Sequence, residues 1–199
     1  MSQKRLLRIV VADDEPETLK FLEEAIVELG HELAGSATNG RQLVDLCKAA
    51  KPDLFVTDIR MPERDGIEAS ERIYPELQIP CILVSAYHDE GLIARAEADH
   101  VMAYLVKPIR VENLKTAIAI AMRRFAEINA VLKESADLKQ ALADRKVVER
   151  AKGIIMKRAG LDEESAFHRL QELASTEHKK LAEIAQMLVK MEEALRPGK

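Results

Sequence analysis

Five short apolar runs, separated by stretches of helical period, organise the first 110 residues. Arg8-Ile9-Val10-Val11-Ala12 stops abruptly at Asp13-Asp14-Glu15-Pro16, which predicts a strand feeding a helix. Pro16 suits a first helical turn, and Leu19, Leu22, Ala25, Ile26 and Leu29 share one helical face before Gly30 closes it. Further strands are expected over Glu32 to Ala37, Leu54 to Asp58, Cys81 to Ser85 and Met102 to Val106, with helices between them. Four of these runs are nearly continuously apolar, the pattern of a parallel sheet covered by helices on both faces. An α/β unit of five βα repeats results, and ligands of such folds gather at the carboxyl ends of the strands.

Beyond Pro108 the pattern changes. No further strand is predicted, and a helical run begins near Val111 with no Gly or Pro until Gly153. Leu114, Ile118, Ala121, Phe125 and Ile128 keep a 4,3 spacing; Leu138, Leu142 and Arg145 resume it after a slip around Val131 to Ser135. Such a stripe fits a coiled-coil dimer, and it equally fits packing on the chain's own two following helices. Gly160 ends this helix. Asp162 can cap a second helix carrying Ala166, Phe167, Leu170, Leu173 and Ala174. Ser175 or Thr176 can cap a third carrying Leu181, Ile184, Ala185, Leu188 and Met191. The expected architecture is therefore a five-stranded parallel α/β domain, a long coiled-coil-type helix and a small three-helix all-α domain. Only Arg196 to Lys199 reads as frayed.

Composition narrows the function classes. A chain of 199 residues allows two modest cores, and 47% hydrophobic residues with 4% aromatics and no Trp suggests aliphatic packing. No stretch approaches the ~20 apolar residues that span a bilayer, and Met1 to Arg8 is not followed by a signal-peptide core. A cytoplasmic protein is expected. Cys47 and Cys81 lack metal-type spacing and read as buried thiols. The net charge of −4 conceals an asymmetry: residues 1–136 carry −6 and residues 137–199 carry +2. The tail is thus the better candidate for a polyanionic partner, although +2 is a small bias.

Candidate chemistry lies where the strand patterns stop. Asp13 and Asp14 follow the first strand, Asp58 ends the third, Ser85 the fourth, and Lys107 follows the fifth. Crowded carboxylates repel one another, and a hard divalent cation such as Mg²⁺ relieves that repulsion. A hydroxyl and an ammonium at the same edge suit a phosphoryl group, which a carboxylate can accept as nucleophile. Each residue also has a structural reading: Asp13 or Asp14 as helix cap, Asp58 as a turn residue before Met61-Pro62, Ser85 as a loop hydroxyl, Lys107-Pro108 as a strand terminator. Their coincidence on one sheet edge favours the shared site.

Val-Ala-Asp-Asp-Glu-Pro (11–16), Thr-Asp-Ile-Arg-Met-Pro-Glu-Arg-Asp-Gly (57–66), Val-Ser-Ala-Tyr (84–87) and Tyr-Leu-Val-Lys-Pro (104–108) together resemble a response-regulator receiver domain, over about residues 6–124. The resemblance implies a flavodoxin-like fold in which Asp58 accepts a phosphoryl group from a sensor histidine kinase. It implies Mg²⁺ held by Asp14, Asp58 and the backbone carbonyl of Arg60, with Asp13 helping through water. Ser85 and Lys107 would take phosphoryl oxygens, the Lys107-Pro108 bond would be cis, and Tyr104 would be a rotamer switch; a half-buried strand-edge aromatic is the plainer role for Tyr104. The implied activity is that of a phosphoacceptor with self-catalysed phosphoryl transfer and dephosphorylation at most, not of an enzyme acting on a separate substrate.

The densest basic stretch of the tail comprises Arg145, Lys146, Arg150, Lys152, Lys157 and Arg158, with Lys179 and Lys180 further on. From charge alone it reads as a solvated helix face or as a track for phosphates. The segments 145–160, 164–174 and 181–188, with Ala-Lys-Gly at 151–153 and Ala166, Leu170 and Ala174 in step, resemble an ANTAR domain over about residues 137–195. That resemblance implies binding of paired stem-loops in nascent transcripts, prevention of transcription termination, and a homodimer, which phosphorylation would create or reorient. Arg145, Lys146, Arg150, Lys152, Arg158, Lys179 and Lys180 are the candidate RNA contacts. Ala151, Gly153, Ala166 and Ala174 are expected to let helices approach closely; Phe167 fits the core, and His168 and His178 are the exposed candidates for base contacts. A helix-turn-helix DNA reader and a protein-binding coiled coil are the competing outputs; Glu177, Glu183, Glu192 and Glu193 make the third helix poorly suited to the major groove. The expected divisions are a receiver domain over 1–124, a helical linker over 111–150 overlapping both domains, and the RNA-binding domain over 137–195.

Overall fold

The computed structural model describes residues 6–86 and 101–194. The helix expected between the fourth and fifth strands, Tyr87 and the segment Arg196 to Lys199, expected to fray, lie outside the described residues. The chain divides into two compact units, Met1–Asn129 and Ala130–Lys199.

In the first unit, strands β1 (Arg8–Ala12), β2 (Glu32–Ala37), β3 (Leu54–Asp58), β4 (Cys81–Ser85) and β5 (Val101–Val106) form one parallel sheet in the order β2-β1-β3-β4-β5. This is the doubly wound order whose strand ends form a crevice beside β1 and β3. Helices α1 (Pro16–Glu28), α2 (Gly40–Ala50) and α3 (Gly66–Leu77) connect the strands, and α4 (Val111–Ala159) follows β5. Two-residue alternation divides each strand between two cores. Ile9, Val11, Leu54, Val56, Ile82 and Val84 pack against α1 and the first turns of α4 through Leu22, Ile26, Leu114 and Ile118. Val10, Phe55, Cys81 and Leu83 pack against α2 and α3 through Leu43, Cys47, Ile67 and Ile73. Both cysteines are buried free thiols, and burial raises their pKa values, that of Cys47 to about 12.

Local chemistry sets the element ends. Pro16 opens α1 and Gly30 follows it with φ +77°. Asn39 caps α2 by accepting from Gln42 N, and Asp65 caps α3 by accepting from Glu68 N at 2.7 Å. Gly66 opens α3 so close to β3 that any side chain there would run into the Asp58 carbonyl oxygen.

The 4,3 stripe of α4 splits by environment. Leu114, Ile118 and Ala121 are buried in the receiver-side core, with Phe125 and Ile128 packed on its margin. Leu138 and Leu142 are exposed, at 65% and 56%. Within the second unit, Leu138 and Leu142 thus take no part in the core with the two following helices, to which Val147, Val148, Ala151, Ile154 and Ile155 contribute.

In the second unit, α5 (Glu163–Thr176) and α6 (Leu181–Ala194) pack on the last turns of α4. Asp162 caps α5, accepting from Ser165 N at 2.8 Å. Neither Ser175 nor Thr176 caps α6: both lie in α5, where the Thr176 hydroxyl donates back to Glu172 O at 2.9 Å. The turn passes through His178 at φ 52°, and Glu183 accepts from Lys180 N at 3.3 Å at the start of α6. Ala151, Ala166, Leu170, Ala174, Ile184 and Ala185 form this unit's core. Two expectations for this core are corrected: Phe167 is 36% exposed, and Gly153 is exposed with nothing within 4 Å of where its side chain would stand.

Candidate functional site

The carboxyl edge of the sheet gathers the residues expected there around one ammonium group. Asp13 follows β1, Asp58 ends β3, Ser85 ends β4 and Lys107 follows β5; parallel strands in this order necessarily bring those ends together. Lys107 Nζ lies 2.9 Å from Asp58 Oδ1, 3.0 Å from Asp13 Oδ2 and 3.0 Å from Glu15 Oε2. Its amide donates to Ser85 O at 2.9 Å, and the Lys107-Pro108 peptide is cis. Asp13, Asp58 and Ser85 are buried.

The electrostatics follow from that burial. Asp58 has its pKa raised from 3.8 to about 6, chiefly by burial; Lys107 opposes the shift, the Asp13 charge adds to it, and a 2.6 Å bond from Arg60 N to Asp58 Oδ2 opposes it further. Burial likewise raises the Asp13 carboxyl, against a bond from Glu15 N at 2.9 Å and the pull of Lys107. Burial by itself would lower the Lys107 pKa, but Asp58, Asp13 and Glu15 outweigh it and hold the ammonium firmly charged. Bonds from Lys107 and from the Thr18 hydroxyl lower the Glu15 pKa.

Asp13 is not the cap of α1: the cap position is Glu15, whose side chain makes no capping bond, and Asp14 is exposed. Tyr104 sits half-buried on β5, against the α2–α3 side of the sheet. Sequence reasoning missed Glu15 as a third partner of Lys107; the only signal was its place at the end of an acidic triplet. Among the described residues no group of three His, Cys, Asp or Glu side chains is gathered closely enough to hold a metal ion. The donor chemistry nevertheless suits a hard cation. Asp13 Oδ2 is buried and, although near the Lys107 ammonium, accepts no hydrogen bond from it, so a buried anionic oxygen retains an unfilled acceptor position.

The tail cations fall into two groups. Lys152 is 8% exposed, paired with Glu149 at 2.9 Å and Glu163 at 2.8 Å, and lies 5.8 Å from the Phe167 ring centroid. It holds α4 to α5 and is not a free phosphate contact, which corrects the expectation for that residue. Arg145, Lys146, Lys157 and Lys180 are exposed. Arg150 pairs with Glu193 at 2.8 Å and Lys179 lies 3.9 Å from Glu177, both exposed pairs of small energetic weight; Arg158 pairs with the largely buried Glu192 at 2.9 Å. His168 and His178 are both exposed.

Among the described residues no helix is long and apolar enough to cross a membrane. The family profile of the response regulator receiver domain matches residues 9–119, and that of the ANTAR domain matches residues 136–189. The transcriptional regulatory protein PdtaR of Mycobacterium tuberculosis is 37% identical over 182 residues, covering 92% of this chain and 89% of that protein. The chemotaxis protein CheY of Thermotoga maritima is 33% identical over 114 residues, 56% of this chain and 93% of its own. The signal receiver domain of the putative response regulator NarL from M. tuberculosis superimposes with a TM-score of 0.55 at 26% identity, covering 58% of this chain and 95% of that structure. With its five-stranded doubly wound sheet, the Lys107-centred acidic edge and both profiles in this order, the chain belongs to the response regulator family, as a receiver domain followed by a C-terminal ANTAR domain.

Proposed function

We propose that Asp58 is the phosphoacceptor of a two-component relay and that the ANTAR domain answers its phosphorylation by binding stem-loop RNA and preventing transcription termination. The observation that carries the first half is Lys107: one ammonium lies within 3.0 Å of Asp58 and Asp13, at the edge where Ser85 also ends its strand. The donor is a sensor histidine kinase. An Asp58 carboxylate oxygen attacks phosphorus, a P–O bond forms, and the bond from phosphorus to the donor nitrogen breaks, its electron pair staying on the imidazole. Asp13, Asp14 and Asp58, with the Arg60 carbonyl, would hold Mg²⁺. When bound, that ion neutralises charge on the phosphoryl oxygens.

The chain's own groups do the rest. Arg60 N orients the nucleophile through Asp58 Oδ2. Lys107 exchanges its carboxylate partners for a phosphoryl oxygen, and the Ser85 hydroxyl takes another. Phosphorylation adds up to about two negative charges at this edge, which draws Lys107 and Ser85 inward and shifts Tyr104 on β5. The receiver (1–124), the helical linker (111–150) and the RNA-binding domain (137–195) are the working divisions of this scheme. Because α4 runs through the linker, it is the element through which the two states of the receiver reach the output. The exposed Leu138 and Leu142 support a homodimer formed along α4, and Arg145, Lys146, Arg150, Arg158, Lys179 and Lys180 remain the proposed RNA contacts.

Incubation with a radiolabelled small phosphodonor and Mg²⁺ tests the phosphoacceptor. Wild type is expected to take up label that Asp58→Asn does not, and undiminished labelling of Asp58→Asn refutes the assignment.

A further inference from the structure

Gly153 is an expensive choice that the fold does not use. It stands in the interior of α4, where glycine is among the poorest helix formers, and its backbone needs no positive φ. The packing reason is also absent: nothing lies within 4 Å of a side chain built there. Ala151 and Ile155, two residues to either side, face the core, and Gly153 faces away from it.

What surrounds that bare turn is cationic. On a helix, residues 146, 150, 153 and 157 form one stripe in steps of four, three and four, so Lys146, Arg150, Gly153 and Lys157 align, all exposed. Arg150, Gly153, Ile154, Lys157 and Arg158 line a cleft of about 330 Å³ closed on its other side by Glu192 of α6. The acids nearby are engaged: Glu149 with Lys152, Glu192 with Arg158 and Glu193 with Arg150. The Arg150–Glu193 pair is exposed on both sides and exchanges readily for a phosphate, while Arg158, held by the largely buried Glu192, keeps a side chain 61% exposed at the cleft. An apolar protein knob would find only Ile154 to rest on, whereas a polyanion finds cations on both sides of an uncovered helix backbone.

We propose that Gly153 is the point of closest approach of an RNA strand to α4, its missing side chain admitting the sugar-phosphate backbone while Lys146, Arg150, Lys157 and Arg158 take the flanking phosphates. The inference rests on the RNA-binding reading and narrows it to one stripe. It also gives the glycine of the Ala-Lys-Gly segment a role distinct from that of the buried alanine.

The test uses the full chain and a pool of labelled RNA hairpins with randomised loops, enriched by capture on wild type. Gly153→Ala is expected to melt no lower than wild type, since alanine is the better helix former, yet to bind the enriched hairpins about tenfold more weakly, equivalent to about 1.4 kcal/mol. Lys157→Gln is expected to make log affinity against log salt shallower by about 0.7 to 1. Gly153→Ala binding within about twofold of wild type overturns the inference. If Gly153→Ala melts lower, Lys157→Gln decides: a salt dependence equal to wild type overturns it. Failure of wild type to enrich any hairpin overturns the RNA reading itself, an outcome visible before any variant is measured.

Discussion

Substituting Asp58 by Asn is expected to stabilise the metal-free receiver at neutral pH, because the fold holds this carboxylate against its own preference. Asp58 is 5% exposed and its pKa is raised from 3.8 to about 6. A carboxyl group whose folded pKa lies above its unfolded one binds protons better when folded. Its cost is therefore absent below pH 3.8, grows as pH rises, and is complete above about pH 6. At about 1.36 kcal/mol per pKa unit, the shift corresponds to about 3 kcal/mol. The attraction to Lys107 at 2.9 Å is already contained in that net shift. An amide of the same shape that keeps its oxygen as acceptor for Arg60 N turns its NH₂, a second donor, toward the Lys107 ammonium, which returns about 1 kcal/mol of the gain. The expected net effect is about 1 to 2 kcal/mol of added stability at pH 7.5, vanishing or reversing near pH 4. Amide hydrogen exchange of Val56, in the buried centre of β3, reports the receiver core separately from the ANTAR unit. Measured in EDTA across pH, the difference between Asp58→Asn and wild type isolates this one group from Glu15, whose lowered pKa acts in the opposite direction. A variant less stable than wild type at pH 7.5, or a difference independent of pH, refutes the reasoning.

Three further outcomes follow from the same geometry. Mg²⁺ is expected to stabilise wild type by about 2.7 kcal/mol at a hundred times its dissociation constant and to leave Asp13→Asn and Asp58→Asn nearly unchanged; equal stabilisation of all three, by the same exchange assay, contradicts a site built on those carboxylates. Gly66→Ala forces a methyl group against the Asp58 carbonyl; a loss of about 1 to 3 kcal/mol is expected in thermal melting, together with slower phosphoryl uptake, and a neutral effect contradicts the close approach. Leu138→Glu and Leu142→Glu alter exposed positions, so each should change monomer stability by less than about 0.5 kcal/mol while weakening self-association in sedimentation; a large loss of monomer stability contradicts their exposure.

The sequence was most legible where one physical signal dominated. Continuous apolar runs mark β1, β3 and β4 because both faces of those strands are covered, and the parallel order then carries Asp13, Asp58, Ser85 and Lys107 to one edge without further information. Glu15 was not legible as a partner of Lys107, because a flexible side chain at a helix start is placed by the tertiary fold and not by local pattern. The start of α6 was misplaced because a hydroxyl such as that of Thr176 serves a preceding carbonyl as well as a following amide. The Ala-Lys-Gly run suggests packing for Gly153 as for Ala151, yet residues two positions apart on a helix differ by about 200° around the axis, so burial of one excludes the other from the same contact. Phe167, one step beyond buried Ala166, sits on the shoulder of that face with the Lys152 ammonium near its ring.

The central claim is that phosphoryl transfer to Asp58 controls RNA binding by the ANTAR domain. Affinity for wild-type-enriched hairpin RNA, measured with and without a small phosphodonor in Mg²⁺, tests it most directly. The account predicts that the phosphodonor tightens RNA binding by wild type about tenfold or more, equivalent to about 1.4 kcal/mol of coupling, and leaves Asp58→Asn unchanged. RNA affinity that ignores the phosphodonor in wild type, or that responds equally in Asp58→Asn, contradicts it.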